Sequence, residues 1–360
     1  MPSAWQIHGR TEYSDAKHEL AALQNLRLNK DVPKPSNIPA GHVLVHIRAA
    51  ALNYRDLMVI GHHKDYPGPH KLDLVPAADG AGQVEAVGEG SKWKVGERVV
   101  ITSVSWEHYD YATNSGRVSP EAMEGKGAGN IDGTLTEYLV LPDTHLIPAP
   151  SHLSYPELAA LPAAGATAIH ALFYGPRKLK AGQTVLAQGT GGVSCFVIQI
   201  AAAVGATVIV TSSSDEKLKQ ARSFGATHTI NYRTHPNWAA EVHKLTNGRG
   251  VDVTVDVAGA ATIAQSLAAT TTGGLVAIVG FLTDSMPQDL IMQILFGGYT
   301  VYGLMMYTQE MTRAMVELYA EKSLKPVVDK VFEWEDVKGA FELLASQKAV
   351  GKIVVKVGSE

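Results

Sequence analysis

The sequence holds one cysteine, Cys195, in 360 residues. A lone thiol excludes an intramolecular disulfide and a thiolate metal cluster, and it is the cysteine usage of a reducing compartment. No uninterrupted apolar stretch reaches the roughly 20 residues that a bilayer demands. Met1 to Arg10 carries no basic region followed by an apolar run, and the last five residues, Lys356 to Glu360, match no sorting or prenylation signal, so the cytoplasm is the expected location. Charge of one sign is lacking as well: 31 Lys and Arg against 35 Asp and Glu give a net charge of −4. With no Lys/Arg block either, no nucleic-acid or membrane-surface partner is expected. There is no Gly-x-Ser-x-Gly elbow and no Gly-x-x-x-x-Gly-Lys-Ser/Thr loop, which sets aside serine hydrolysis and triphosphate-dependent phosphoryl transfer. What is present is 46% hydrophobic against 18% charged residues, the balance of a compact enzyme. The length suits two domains sharing a cleft, with a small molecule as the expected substrate.

From Gly41 to about Leu146 the chain reads as short β-rich runs, Val43 to Ile47, Gln83 to Val87, Arg98 to Ile101 and Thr136 to Val140, separated by Gly/Pro punctuation. From Thr184 the rhythm becomes strand, glycine turn, helix, strand. Strands are expected at Thr184 to Gln188, Thr207 to Thr211, Thr227 to Ile230, Val251 to Val257 and Leu275 to Val279. Helices are expected at Val193 to Val204, Asp215 to Phe224, Trp238 to Leu245 and Thr262 to Ala269, with Gly205 and Gly225 as left-handed stops for the first two. Such alternation implies a parallel sheet covered by helices on both faces. The fold class is therefore α/β. Past Tyr302, helices at about Glu310 to Lys322 and Trp334 to Ala345 and a strand at Lys352 to Val357 fit either domain by periodicity.

The strand ending at Gln188 runs into Gly189-Thr190-Gly191-Gly192-Val193-Ser194 and then a helix, the context of a dinucleotide fingerprint. Glycines there let the backbone turn sharply and approach a pyrophosphate seated on the helix N-terminus. The third fingerprint position holds Ser194, small enough for close helix-to-strand packing. At the end of the second strand an NAD-preferring protein carries an acidic residue for the ribose 2′-hydroxyl. This chain has Thr211-Ser212-Ser213-Ser214 instead, with Lys217 one turn later and Tyr232-Arg233 after the third strand. Hydroxyls and a cation suit a 2′-phosphate, which favours NADPH. The alternative is that Ser213 or Ser214 merely caps the helix and Lys217 is a solvated charge.

These residues resemble the medium-chain dehydrogenase/reductase superfamily, specifically its zinc-free, quinone-oxidoreductase-like branch. The resemblance rests on Asn53-Tyr54-Arg55-Asp56, Asp79-Gly80-Ala81-Gly82-Gln83-Val84, Val87-Gly88-Glu89-Gly90, Lys94-Val95-Gly96-Glu97-Arg98-Val99, Leu161-Pro162-Ala163-Ala164-Gly165-Ala166-Thr167-Ala168 and the glycine turn. It implies a GroES-like catalytic domain over residues 1 to 165 and 304 to 360, with a doubly wound Rossmann domain over 166 to 303. It also implies that Ser212, Lys217 and Tyr232 hold the 2′-phosphate, that Thr167 lies by the nicotinamide, and that Gly280 and Phe281 line its carboxamide side. A homodimer through an edge strand at Thr300 to Met306 is implied too. Where zinc-dependent members place three catalytic ligands this chain has Asn53, Ala78 and Ala164, and residues 102 to 130 hold no cysteine for a structural zinc, so no metal is expected. His62, His63 and His70 read as solvated loop histidines.

Without a Lewis acid, hydrogen bonds must stabilise negative charge on a substrate oxygen. Hydride addition to an enone or quinone spreads that charge by conjugation, so reduction of an activated C=C bond leads. Tyr54 is the expected proton donor or oxyanion partner, or else a packing aromatic; Asn53 is expected to touch the nicotinamide ribose or the substrate. Arg55 and Asp56 are expected to pair and brace the turn. Trp106, Tyr109 and Tyr111 are candidates for the pocket wall, and Cys195 reads as buried filler. Two other readings stand beside this one: a zinc-independent alcohol dehydrogenase or ketone reductase, and a non-catalytic NADPH-binding protein.

Overall fold

The computed structural model describes residues 1–9, 20–63, 70–102, 125–283, 290–305 and 307–358. Trp106, Tyr109 and Tyr111 fall outside them. The chain divides into two compact units, Met1–Ala164 with Tyr307–Glu360, and Gly165–Met306.

The first unit is built on the long strand His42–Leu52, whose inward residues Val43, Val45 and Ile47 are fully buried. It pairs antiparallel with Asp79–Val87, Tyr138–Pro142 and Lys352–Lys356. The sheet runs in the order Val328–Phe332, Lys352–Lys356, His42–Leu52, Asp79–Val87, Arg98–Ile101, Leu146–Pro148. The C-terminal elements, which periodicity leaves unassigned, therefore complete the first unit. The indole N–H of Trp5 donates to the Trp334 carbonyl and that of Trp334 to Ser3 Oγ, both at 2.9 Å, which ties the two ends of the chain over one apolar core. The helix read over Trp334 to Ala345 is in fact a 3-10 turn, Trp334–Asp336, followed by an α-helix, Val337–Ala345.

The second unit is a six-stranded sheet, every ladder parallel, in the order His228–Asn231, Thr207–Ser212, Thr184–Gln188, Val251–Asp256, Thr270–Ile278, Thr300–Gly303. In chain order that is 3-2-1-4-5-6, the Rossmann arrangement. Thr184–Gln188 and Val251–Asp256 are buried along their whole length, as central strands covered on both faces must be. The helices Gly192–Ala203 and Asp215–Ser223 end before Gly205 and Gly225, with φ of +83° and +120°, a backbone region that side chains disfavour. The strand order reverses between Thr184–Gln188 and Val251–Asp256, and the carboxyl ends at such a switch point form the ligand crevice of open α/β sheets.

Candidate nucleotide site and buried polar cluster

The glycine turn lies at that switch point. Gly189 has φ +72°, and its amide donates to the Thr211 carbonyl at 2.7 Å, so the turn is strapped to the neighbouring strand. Gly191 is the N-cap of the twelve-residue helix Gly192–Ala203. A Cβ built on Gly189 or Gly191 meets nothing within 4 Å, and the first-turn amides of the helix have no intrahelical acceptor. Open space over a positive helix end suits a dinucleotide pyrophosphate. Ser194, in place of the third glycine, donates through Oγ to the Gln188 carbonyl at 2.6 Å, which satisfies its hydroxyl while helix and strand stay close. Thr190 and Cys195 are buried, and the Cys195 thiol donates to the Thr190 carbonyl at 3.3 Å.

Strand ends gather most of the other nucleotide candidates. Ser212 closes its strand, buried, and its carbonyl accepts from the Tyr232 amide at 3.0 Å, which brings Tyr232 beside it. Ser213 is half-buried, Lys217 lies in the first helical turn, and the Tyr232 side chain is exposed. Ser214 does cap this helix, accepting from the Lys217 amide at 3.4 Å. On the far side of the crevice Gly280 follows Thr270–Ile278, and a Cβ there would stand 2.3 Å from the Val257 carbonyl oxygen, so only glycine allows the approach. Phe281 beside it is exposed, and Thr167 is half-buried on the helix Pro162–Ile169.

Sequence reasoning missed the group that shapes the crevice from behind, Asp256. This buried carboxylate accepts from the amides of Ala258 and Gly259 at 3.1 and 2.8 Å, from Thr262 Oγ1 at 2.9 Å, from Ser266 Oγ at 2.6 Å and from Gln188 Nε2 at 3.2 Å. The available signal was a second carboxylate, Asp256, at the end of a strand that alternates valine with Asp252, Thr254 and Asp256.

In the first unit, Asn53 and Tyr54 stand where the strand His42–Leu52 turns into the helix Tyr54–Ile60, an element absent from the sequence reading. The Asn53 amide N–H donates to Asp56 Oδ2 at 2.8 Å, capping the helix, and Arg55 Nη1 pairs with Asp56 Oδ1 at 3.1 Å, the brace anticipated above. Burial raises the Asp56 pKa, with Arg55 opposing. Arg55 also donates to the Lys126 carbonyl at 2.8 Å. Lys126 itself is buried, its ammonium donating to the Thr102 carbonyl at 2.7 Å, and burial lowers its pKa to about 7. The Tyr54 ring packs against the apolar core of this unit. Asn53 Nδ2 donates to Asp79 Oδ2 at 2.8 Å, and Asn53 Oδ1 accepts from Lys352 Nζ at 2.6 Å.

That arrangement does not fit zinc. Ala78 and Ala164 have no donor atom, and the Asn53 carboxamide lies against an ammonium that would repel a metal cation. No cluster of metal-ligating side chains occurs among the described residues.

The histidines are not as read. His63 and His70 are buried, His62 and His70 pack edge to face at 5.2 Å, and His70 Nδ1 accepts from the Gly129 amide at 2.8 Å. Gly129, distant in sequence, thus engages the His70 ring. Burial, with His62 and Arg55 adding to it, lowers the His70 pKa to about 4. The folded chain therefore holds His70 neutral. Its contribution to stability is complete above the unfolded value of about 6.5 and falls as pH drops toward 4, by about 2 kcal/mol at pH 5. Unfolding free energies at pH 7.5 and pH 5 should differ by that much less in His70→Gln than in the parent chain; equal differences would show that His70 does not carry the effect.

Residues 192–321 match the family model described as zinc-binding dehydrogenase, and residues 39–151 match the alcohol dehydrogenase GroES-like domain. A zinc-type alcohol dehydrogenase-like protein of Schizosaccharomyces pombe is 40% identical over 331 residues, 90% of this chain and 93% of the relative. Quinone oxidoreductase-like protein 2 of Bos taurus is 26% identical over 368 residues, 99% of this chain and 95% of the relative. The crystal structure of an NAD-dependent alcohol dehydrogenase superposes with a TM-score of 0.83 at 32% identity, covering 99% of this chain and 100% of that one. With its GroES-like sheet, its Rossmann crevice and these relatives, the chain belongs to the medium-chain dehydrogenase/reductase superfamily of oxidoreductases.

Proposed function

We propose that the chain is an NADPH-dependent, zinc-independent reductase of activated C=C bonds in small enones or quinone-like molecules. The observation that carries this reading is the Asn53, Ala78, Ala164 set, in which no side chain is available to a metal. Negative charge on the substrate oxygen then rests on hydrogen bonds alone, and conjugation lessens that demand by spreading the charge. The nicotinamide cofactor, when bound, supplies the hydride. Gly189 to Val193 would cradle its pyrophosphate, and Gly280 and Phe281 would border its carboxamide. Hydride addition at the β-carbon would leave an enolate; its α-carbon would take a proton from Tyr54 or from water, and in the second case the Tyr54 hydroxyl would donate a hydrogen bond to the enolate oxygen. Deuteride supplied from labelled cofactor should appear at the β-carbon of the saturated product; label on a carbinol carbon would refute the reading.

Serines, a lysine and the absence of a carboxylate at the end of the second strand support NADPH over NADH. Lys217→Ala should weaken NADPH binding about tenfold, one charge-assisted contact, and leave NADH binding unchanged. An equal loss for both cofactors would remove Lys217 from the 2′-phosphate.

A second reading, zinc-independent carbonyl reduction with Tyr54 protonating an alkoxide, is favoured by the kinship with an NAD-dependent alcohol dehydrogenase.

The functional unit we propose is a homodimer. The helix Ile291–Gly297 exposes Ile291, Met292, Leu295 and Phe296, and Val301 is exposed on the outermost strand, Thr300–Gly303. An apolar patch beside an open sheet edge suits a second copy, edge to edge. Light scattering should give twice the chain mass, and Val301→Lys should shift it toward one; a monomeric parent chain would refute the dimer.

A further inference from the structure

Lys352 is 3% exposed and Asp79 fully buried, a charge pair set in the interior of the first unit. A buried ion pair of this kind is costly to desolvate and is often no more stable than an apolar pair of the same volume, so its presence calls for a role. Lys352 opens the strand Lys352–Lys356, next to Ile353, which pairs with Leu52 across the antiparallel ladder. From there its ammonium donates to the Leu52 carbonyl at 2.7 Å and to Asn53 Oδ1 at 2.6 Å, with Asp79 Oδ2 at 3.6 Å. An ammonium has three donors, and three acceptors surround this one.

The Asn53 carboxamide is thereby oriented by two charges, its oxygen toward the ammonium and its Nδ2 toward the carboxylate at 2.8 Å. A flipped amide would set N–H against N–H and oxygen against oxygen. Asp79 is itself fixed from the other side by the Ala163 amide, 3.2 Å from each carboxylate oxygen. Leu52 and Asn53 are the last residues before Tyr54, so one side chain from the far end of the sequence grips the corner that presents it. With both ends of its amide engaged, Asn53 reads as part of this grip more than as a contact to substrate.

We propose that Lys352 is a positioning residue, whose ammonium clamps the Leu52–Asn53 corner so that Tyr54 is held in the geometry the reduction needs. This rests on the reading of Tyr54 given above. Removing the clamp loosens the start of the helix Tyr54–Ile60 and slows turnover, while the nucleotide, held by the other unit, is bound as before.

The test uses the full chain with Lys352→Met, Lys352→Arg and the pair Lys352→Met with Asp79→Asn, which leaves no stranded carboxylate if the single variant folds poorly. Amide exchange across residues 53–60 in the nucleotide-free protein and kcat with NADPH and cyclohexenone are read together. Lys352→Met and the paired variant should speed exchange about tenfold and lower kcat about thirtyfold, with the NADPH dissociation constant within about twofold. Lys352→Arg, which keeps the charge and the donors, should recover both to within about fivefold. Unchanged exchange in the Met variants overturns the clamp, and so does faster exchange with full kcat. Full kcat in Tyr54→Phe alongside a loss in Lys352→Met would refute the role of Tyr54 and leave the clamp standing. If the parent chain reduces no enone, exchange alone decides it.

Discussion

Gly191→Val should leave the chain folded and weaken NADPH binding at least about 100-fold, close to 3 kcal/mol. Gly191 has φ −74° and ψ −175°, extended backbone open to any residue, and its Cβ would meet nothing within 4 Å. Nothing in the free chain therefore resists a side chain, beyond about 1 kcal/mol for a poor N-cap. The open space is what the pyrophosphate requires, so valine there competes with ligand and not with protein. Gly189→Val makes the contrast: at φ +72° the side chain strains the turn by about 1–2 kcal/mol, and both stability and binding should fall. Calorimetric titration with NADPH beside a thermal melt separates the two. An undiminished affinity in Gly191→Val would move the nucleotide away from this turn.

Asp256→Ala is expected to destabilise the Rossmann unit by about 3–5 kcal/mol, among the largest effects a single substitution produces. Five donors converge on this carboxylate, among them the Ala258 and Gly259 amides and the Ser266 hydroxyl. Alanine strands all five at once, with Gln188, Gly259 and Ser266 buried. Since Ala258 and Gly259 directly follow the central strand Val251–Asp256, NADPH affinity should fall with stability. Asp256→Asn, which keeps one acceptor but turns an NH2 toward donors, should recover less than half of the loss. The urea midpoint of the nucleotide-binding unit reads the effect; a shift worth under about 1 kcal/mol would mean the donors find other partners.

The elements legible in the sequence are those whose signals are local. Thr184–Gln188, Arg98–Ile101 and Trp238–Leu245 carry their own periodicity and stand where it puts them. The glycine turn is legible because the strain it must bear, φ +72° at Gly189, selects the residue directly. The helix Tyr54–Ile60 was missed although Asn53 and Asp56, three apart, have the spacing of a helix start. Its run of Met, Val and Ile reads equally as a strand. The clamp on Asn53 is illegible for a different reason: Lys352 lies 299 residues away, and only the pairing of Ile353 with Leu52 brings it in. His70 fails likewise, since no local pattern says that the Gly129 amide, 59 residues on, will donate to its ring.

Metal-free hydride transfer to a conjugated alkene can be followed directly in solution. Its most direct test follows NADPH absorbance at 340 nm with chelator-treated protein, offered cyclohexenone and cyclohexanone in parallel, with Tyr54→Phe alongside. The enone alone should turn over, undiminished by chelation, with saturated ketone as product and a lower kcat for Tyr54→Phe. Reduction of cyclohexanone to the alcohol, or activity that vanishes with chelation and returns with zinc, would contradict it.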